Sequence, residues 1–130
     1  MIHFRVDSSS GVPSYRQIVD QVQQALRLGL LRAGDQLPTV KEVVAQVAIN
    51  PNTVLKAYRE LEHAGLAEGR PGVGTFVTRS LAGDSLAAHH KLRVELGRWL
   101  GKARSAGLDE ASIEALFDST LHASAAEGVA

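Results

Sequence analysis

The chain has 130 residues, 45% of them apolar and 22% charged, the balance of a water-soluble domain too short for a large enzyme scaffold. Fourteen basic residues offset fourteen acidic ones, but unevenly: residues 1–79 carry nine Lys/Arg against seven Asp/Glu, and residues 80–130 carry five against seven, so total charge alone names no polyanionic partner. The lack of cysteine excludes disulfides, thiolate nucleophiles and Cys-bearing metal sites, while the lack of a signal-like N-terminus or a run of 18 apolar residues predicts a cytoplasmic protein without a membrane partner.

Ile2, Phe4 and Val6 alternate with polar residues, the period of a short strand that must join a sheet, whose other candidates lie near residues 66–78. Tyr15, Ile18, Val19, Val22, Ala25 and Leu26 then recur at three- and four-residue steps, predicting an amphipathic helix over 14–28 that stops near Gly29, with Gln17, Gln21 and Gln24 outside. Thr39 and Glu42 fit a capping box opening a short helix over about 40–47 that buries Val43, Val44 and Val47. Asn50 can cap, and Pro51 can start, a third helix reaching about residue 64. Two short helices joined this tightly are a helix-turn-helix candidate.

In the third helix Val54, Ala57, Tyr58, Leu61 and Ala64 mark a buried stripe, and Asn52, Lys56, Arg59 and His63 project opposite. Gly65 ends it. Residues 66–68 and 75–78 read as strands of a hairpin around the loop of residues 69–74, burying Leu66 and Phe76 and accepting the N-terminal strand at its edge. Residues 79–83 are the best boundary. Beyond them a helix over 84–106 carries Leu92, Leu96, Trp99, Leu100 and Ala103; after Gly107, Asp109 caps a last helix carrying Ile113, Leu116, Phe117 and Leu121 and fraying at AEGVA. Two helices cannot bury that much apolar surface between themselves, which favours a two-fold homodimer. The expected fold is mainly α with a small β wing: a winged helix-turn-helix over 1–79 and two dimerisation helices over 80–130.

A helix fits the DNA major groove, where base edges are distinguishable, and a wing can reach the backbone or minor groove. Asn52 suits an adenine edge or a phosphate, Lys56 a guanine or a phosphate, Arg59 the backbone, and the first amides of the second and third helices suit phosphates. Taken singly, Lys41, Lys56 and Arg59 also read as solvated charges, Asn50 as a cap, Thr39 as a cap alone or a cap that also meets a phosphate, and Tyr15 and Tyr58 as core aromatics. His89 and His90 point about 100° apart on a helix; a meeting of His89, Asp118 and His122 is the weaker reading, so no metal or cofactor is expected. Trp99 reads as dimer core rather than a ligand cage. With no nucleophile-base-orienter set and no GxxxxGK, an enzyme is not expected.

From Pro13 to Val77 the chain resembles the winged-helix domain of the GntR family of bacterial transcription regulators. The resemblance is carried by Pro13-x-Tyr15-x-Gln17-Ile18, Gly29-x-Leu31, Gly34-Asp35-x-Leu37-Pro38-Thr39, Asn52-Thr53-Val54-x-x-Ala57-Tyr58-x-x-Leu61, Gly65-Leu66 and Gly72-x-Gly74-Thr75-Phe76-Val77. NPNT followed by VLKAYREL, with only about fifty residues after the wing, is similar to its YtrA-like branch. The resemblance implies a dimeric repressor on an inverted-repeat double-stranded DNA operator, with a short two-helix dimerisation segment in place of a large effector domain. It names no effector. It maps DNA contacts onto Lys41, where the family usually has Arg, onto Asn50, Asn52, Thr53 and Lys56 around a Pro51 that is Arg in many relatives, and onto Arg70, Gly72 and Gly74 in the wing.

Overall fold

The computed structural model describes residues 2–81 and 86–129, with side chains for 2–81 and 89–124. In chain order the described elements are α1 (Ser14–Arg27), α2 (Val40–Val47), α3 (Pro51–His63), β1 (Ala67–Arg70), β2 (Gly74–Val77), α4 (Leu86–Ser105) and α5 (Glu110–Val129). Two compact units divide between Leu86 and Ala87; Gly83 of the expected boundary and the expected helix start at Asp84 lie outside the described residues. None of the described helices is long and apolar enough to cross a membrane.

In the first unit, α3 packs on α1 and α2, and Ile18, Leu26, Val43, Val54 and Leu61 are fully buried with Leu37 from the loop before α2. Helix ends follow local chemistry. Thr39 Oγ1 accepts the Glu42 N–H at 3.2 Å, and the Glu42 carboxylate receives the Thr39 hydroxyl rather than the Thr39 N–H, so only one backbone donor of the expected capping box is satisfied this way. Asn50 Oδ1 accepts the Asn52 N–H at 2.8 Å. Three helices close on Gly-Leu: the N–H groups of Leu30, Leu66 and Leu108 return to the carbonyls of Ala25, Leu61 and Ala103 at 2.9, 2.9 and 3.1 Å, the bond that satisfies carbonyls a helix end leaves open. The turn from α2 to α3 uses Ala48 instead, at φ 52 and ψ 45, a left-handed conformation costing an L-residue about 1 kcal/mol or more.

The N-terminal segment is not a strand. Phe4 is buried, and Ile2 and Val6 pack partly against the core, so the alternation marks burial correctly, but two glutamines of α1 supply the hydrogen bonds. Gln21 Oε1 accepts the Arg5 N–H at 2.9 Å while its Nε2 donates to the Arg5 carbonyl. Gln17 Oε1 accepts the Asp7 N–H at 2.8 Å while its Nε2 donates to the Asp7 carbonyl at 2.9 Å. A carboxamide donates and accepts like a peptide group, so it can stand in for a neighbouring strand. Gln17 and Gln21 are accordingly half-buried rather than outside.

The sheet edge goes to the loop before α2. β1 and β2 pair antiparallel with Ala67 opposite Val77 and Arg70 opposite Gly74, and Gln36 bridges to Phe76. Around it, Gly34 N–H donates to Val77 O, Val77 N–H to Asp35 O and Leu37 N–H to Thr75 O, each at 2.8 Å, which ties the wing to the start of α2. The strands run further into the expected loop, to Arg70 and from Gly74, leaving a three-residue turn. Val77 takes the buried face, and Phe76, expected inside, is half-buried. Ala64 is exposed as the C-cap of α3 instead of completing the buried stripe.

In the second unit Ala103 and Ile113 are buried, with Trp99, Leu100 and Leu108 half-buried. Asp109 caps α5, its Oδ1 accepting the Ser112 N–H at 2.8 Å; bonds from Ser112 hold its carboxyl below the usual carboxylate range. The AEGV segment, expected to fray, continues α5 to Val129.

Candidate nucleic-acid interface

The site begins with how α2 is held against α3. The Tyr58 hydroxyl, buried on α3, donates to the carbonyl of Pro38 one residue before the α2 cap. Burial, reinforced by the Glu42 carboxylate, pushes the phenol well above its ordinary value, so it stays a neutral donor. Tyr58→Phe would leave the Pro38 carbonyl unpaired, and a loss of about 1 to 2 kcal/mol in unfolding free energy is expected. Urea denaturation with an unchanged slope and a lower midpoint checks it.

Two shallow grooves meet at Thr39. One is lined by Thr39, Arg70, Pro71, Gly72, Val73 and Gly74, with Gly69 and Thr75; the other by Thr39, Val40, Leu55, Tyr58, Arg59, Glu62, Gly74 and Thr75. The α2 start, the exposed side of α3 and the wing turn therefore form one continuous surface, on which Thr39, Arg59, Arg70, Gly72 and Gly74 come together. In the turn, Val73 N–H donates to Arg70 O at 2.9 Å, with Pro71 and Gly72 at the centre and Gly72 at φ 75, a type II arrangement. Gly74 sits at φ 144, and a Cβ there would lie 2.5 Å from Gln36 Nε2. Its lack of a side chain lets Gln36 brace the hairpin by donating to the Val73 carbonyl at 3.3 Å.

Two of the basic side chains, Lys56 and Arg70, lie over aromatic rings. Lys56 Nζ lies 4.0 Å from the centre of the Tyr15 ring, and the Arg70 guanidinium stacks 4.4 Å from that of Phe76. At exposed sites such contacts are worth about 0.5 to 1 kcal/mol, enough to bias a long side chain and weak enough to yield to a phosphate. The Arg70–Glu68 pair, at 3.8 Å and exposed, adds little. Lys41 is exposed on α2 outside both grooves; Asn50 and Asn52 are exposed at the α3 start, and Thr53 is half-buried there.

Sequence reasoning missed Leu55, which is 37% exposed and stands three residues after Asn52 and four before Arg59, on the same face. It also missed Tyr15 as the platform for Lys56, and Gln36. The spacing signal for Leu55 was present in the sequence. The second contact needs tertiary structure.

The second unit carries a separate apolar groove between α4 and α5, lined by Leu96, Trp99, Leu116, Phe117, Thr120, Leu121 and Ser124. Leu96 is 41% and Leu121 57% exposed, and Leu92 lies exposed on α4. His122 Nδ1 lies 2.7 Å from the Asp118 carbonyl of its own helix, and no group of three or more metal-ligating side chains occurs among the described residues.

The family described as bacterial regulatory proteins, gntR family, matches residues 14–77. HTH-type transcriptional regulator Rv1152 of Mycobacterium tuberculosis is 41% identical over 102 residues, 78% of this chain and 84% of that protein; HTH-type transcriptional repressor YtrA of Bacillus subtilis is 40% identical over 76 residues, 58% of each chain. Among solved structures, the AraR DNA-binding domain in complex with operator ORX1 is similar with a TM-score of 0.54 at 25% identity, covering 60% of this chain and all of that one.

Proposed function

Because this chain belongs to the gntR family of bacterial regulatory proteins, whose winged helix binds DNA, we propose that this transcription regulator is a homodimeric repressor reading an inverted-repeat operator in the cytoplasm. The observation that carries the reading is the continuity of α3, the α2 start and the wing turn around Thr39. A recognition helix in the major groove brings a neighbouring helix start and a wing to the flanking phosphates at the same time. Asn52, Thr53 and Lys56 then face bases, Asn50 caps and meets a phosphate, and Thr39, Lys41, Arg59 and Arg70 hold the backbone, with Gly72 and Gly74 letting the wing main chain approach.

Residues 1–79 are proposed as the DNA-binding part and 80–130 as the dimerisation part. Support for the second comes from Leu92, Leu96, Leu116, Phe117 and Leu121, which are exposed while, among the described residues of this unit, Ala103 and Ile113 are the buried apolar ones, with Trp99 and Leu100 half-buried beside them. A second copy's helix pair would complete a four-helix contact. Repression follows the direction named for the YtrA relative.

The test is selection by the full chain from a pool of random duplexes, with duplex RNA as competitor at fixed salt. Enrichment of a two-fold symmetric sequence, resistant to RNA, is expected. Equal retention of RNA and no enriched sequence would contradict it. Deletion of the gene should raise transcription from promoters carrying that sequence.

A further inference from the structure

We infer that Leu55 is a specificity-determining residue that packs against the C5 methyl group of a thymine in the operator. The inference rests on the DNA-reading role proposed for α3 and adds a base identity to it. The α3 core is complete without Leu55: Val54, Ala57, Tyr58 and Leu61 are all buried, while Leu55 is 37% exposed. It interrupts an otherwise polar stripe, between Asn52 and Arg59, and borders the groove that Thr39 and Thr75 also line.

An apolar side chain there gains nothing from a phosphate and cannot hydrogen-bond a base edge. The thymine methyl is the one apolar group that the major-groove edges of the four bases present. Removing Leu55 and the methyl from water together favours A·T at that position, whereas a cytosine, with only hydrogen at C5, offers the leucine no methyl to cover. From Asn52 to Leu55 the helix rises about 4.5 Å, and base pairs are about 3.4 Å apart. The thymine therefore lies within about two base pairs of the position whose preference changes in Asn52→Ala.

The experiment takes the duplex enriched by the full chain and remakes it with deoxyuridine at each thymine in turn, which removes only the methyl. At one thymine per half-site, uridine should weaken the unaltered protein about three- to fivefold, the effect of one buried methyl group. Leu55→Ala, which removes the contact from both half-sites of the dimer, should bind the unaltered duplex roughly ten- to twenty-fivefold more weakly, the square of that effect, and lose sensitivity to uridine there, with an unchanged salt slope because no phosphate contact is altered. Leu55→Met, apolar and of similar reach, should keep the sensitivity. An enriched duplex whose thymines are all insensitive to uridine, or a sensitivity that persists in Leu55→Ala, overturns the methyl contact alone. Failure to enrich any duplex overturns the regulator reading itself and this inference with it.

Discussion

A chain ending at Leu81 keeps the winged fold and binds an operator duplex about a hundredfold or more weaker than the full chain, because tying two reading heads together multiplies their affinities through effective concentration. The first unit should survive the cut. Its core from Ile18 to Leu61 draws on α1, α2 and α3, and Leu81 is the last described residue packed against it. What is lost is the α4–α5 pair with its exposed Leu96, Phe117 and Leu121. Trp99→Ala is the milder form of the same defect. Truncating a buried aromatic typically costs about 3 to 5 kcal/mol, and a half-buried one that a partner covers should lose part of that from the dimer. Sedimentation at micromolar concentration should show the full chain as a dimer and Trp99→Ala shifted toward monomer. A monomeric full chain, or full affinity in the truncated one, would reject the role of residues 86–129.

The second large effect separates readers from anchors. Lys56→Ala and Asn52→Ala should each weaken the selected operator by about 1 to 3 kcal/mol per half-site, and Asn52→Ala should also flatten the preference among operator variants. The free Lys56 is oriented by the Tyr15 ring 4.0 Å away, so the substitution removes a directed charge rather than a mobile one. Lys41→Ala and Arg70→Ala should weaken many duplexes alike and reduce the salt slope by about one each, the behaviour of phosphate contacts. Titrations of all four at several salt concentrations check the division. Equal binding by all of them would put the DNA surface elsewhere on the protein.

What could be read from the sequence was local chemistry. Thr39, Asn50 and Asp109 cap where their side chains can reach the next free N–H, and Gly29, Gly65 and Gly107 end helices where a left-handed residue is needed. Ala48 adopts that same conformation with no glycine to announce it, so only the α3 cap that follows marks the turn. Period-two alternation showed that Phe4 is buried but not what pairs with the backbone of Arg5 and Asp7 after it, since Gln17 and Gln21 can replace a strand and a sequence does not distinguish the two. The same ambiguity hid the true third edge of the wing at Gln36, a polar residue with no strand pattern around it. In the site, residue type favoured Asn52, Lys56 and Arg59 and passed over Leu55, because an exposed leucine is unremarked until the fold shows that the core does without it.

Whether two copies of the chain read the two halves of one operator is decided by hydroxyl-radical footprinting of the full chain on its selected duplex, with the number of chains per duplex determined on the same complex. Two symmetric protected patches centred about 34 Å apart, one DNA turn, with two chains bound, are predicted. One asymmetric patch with a single chain bound would contradict a homodimer on an inverted repeat.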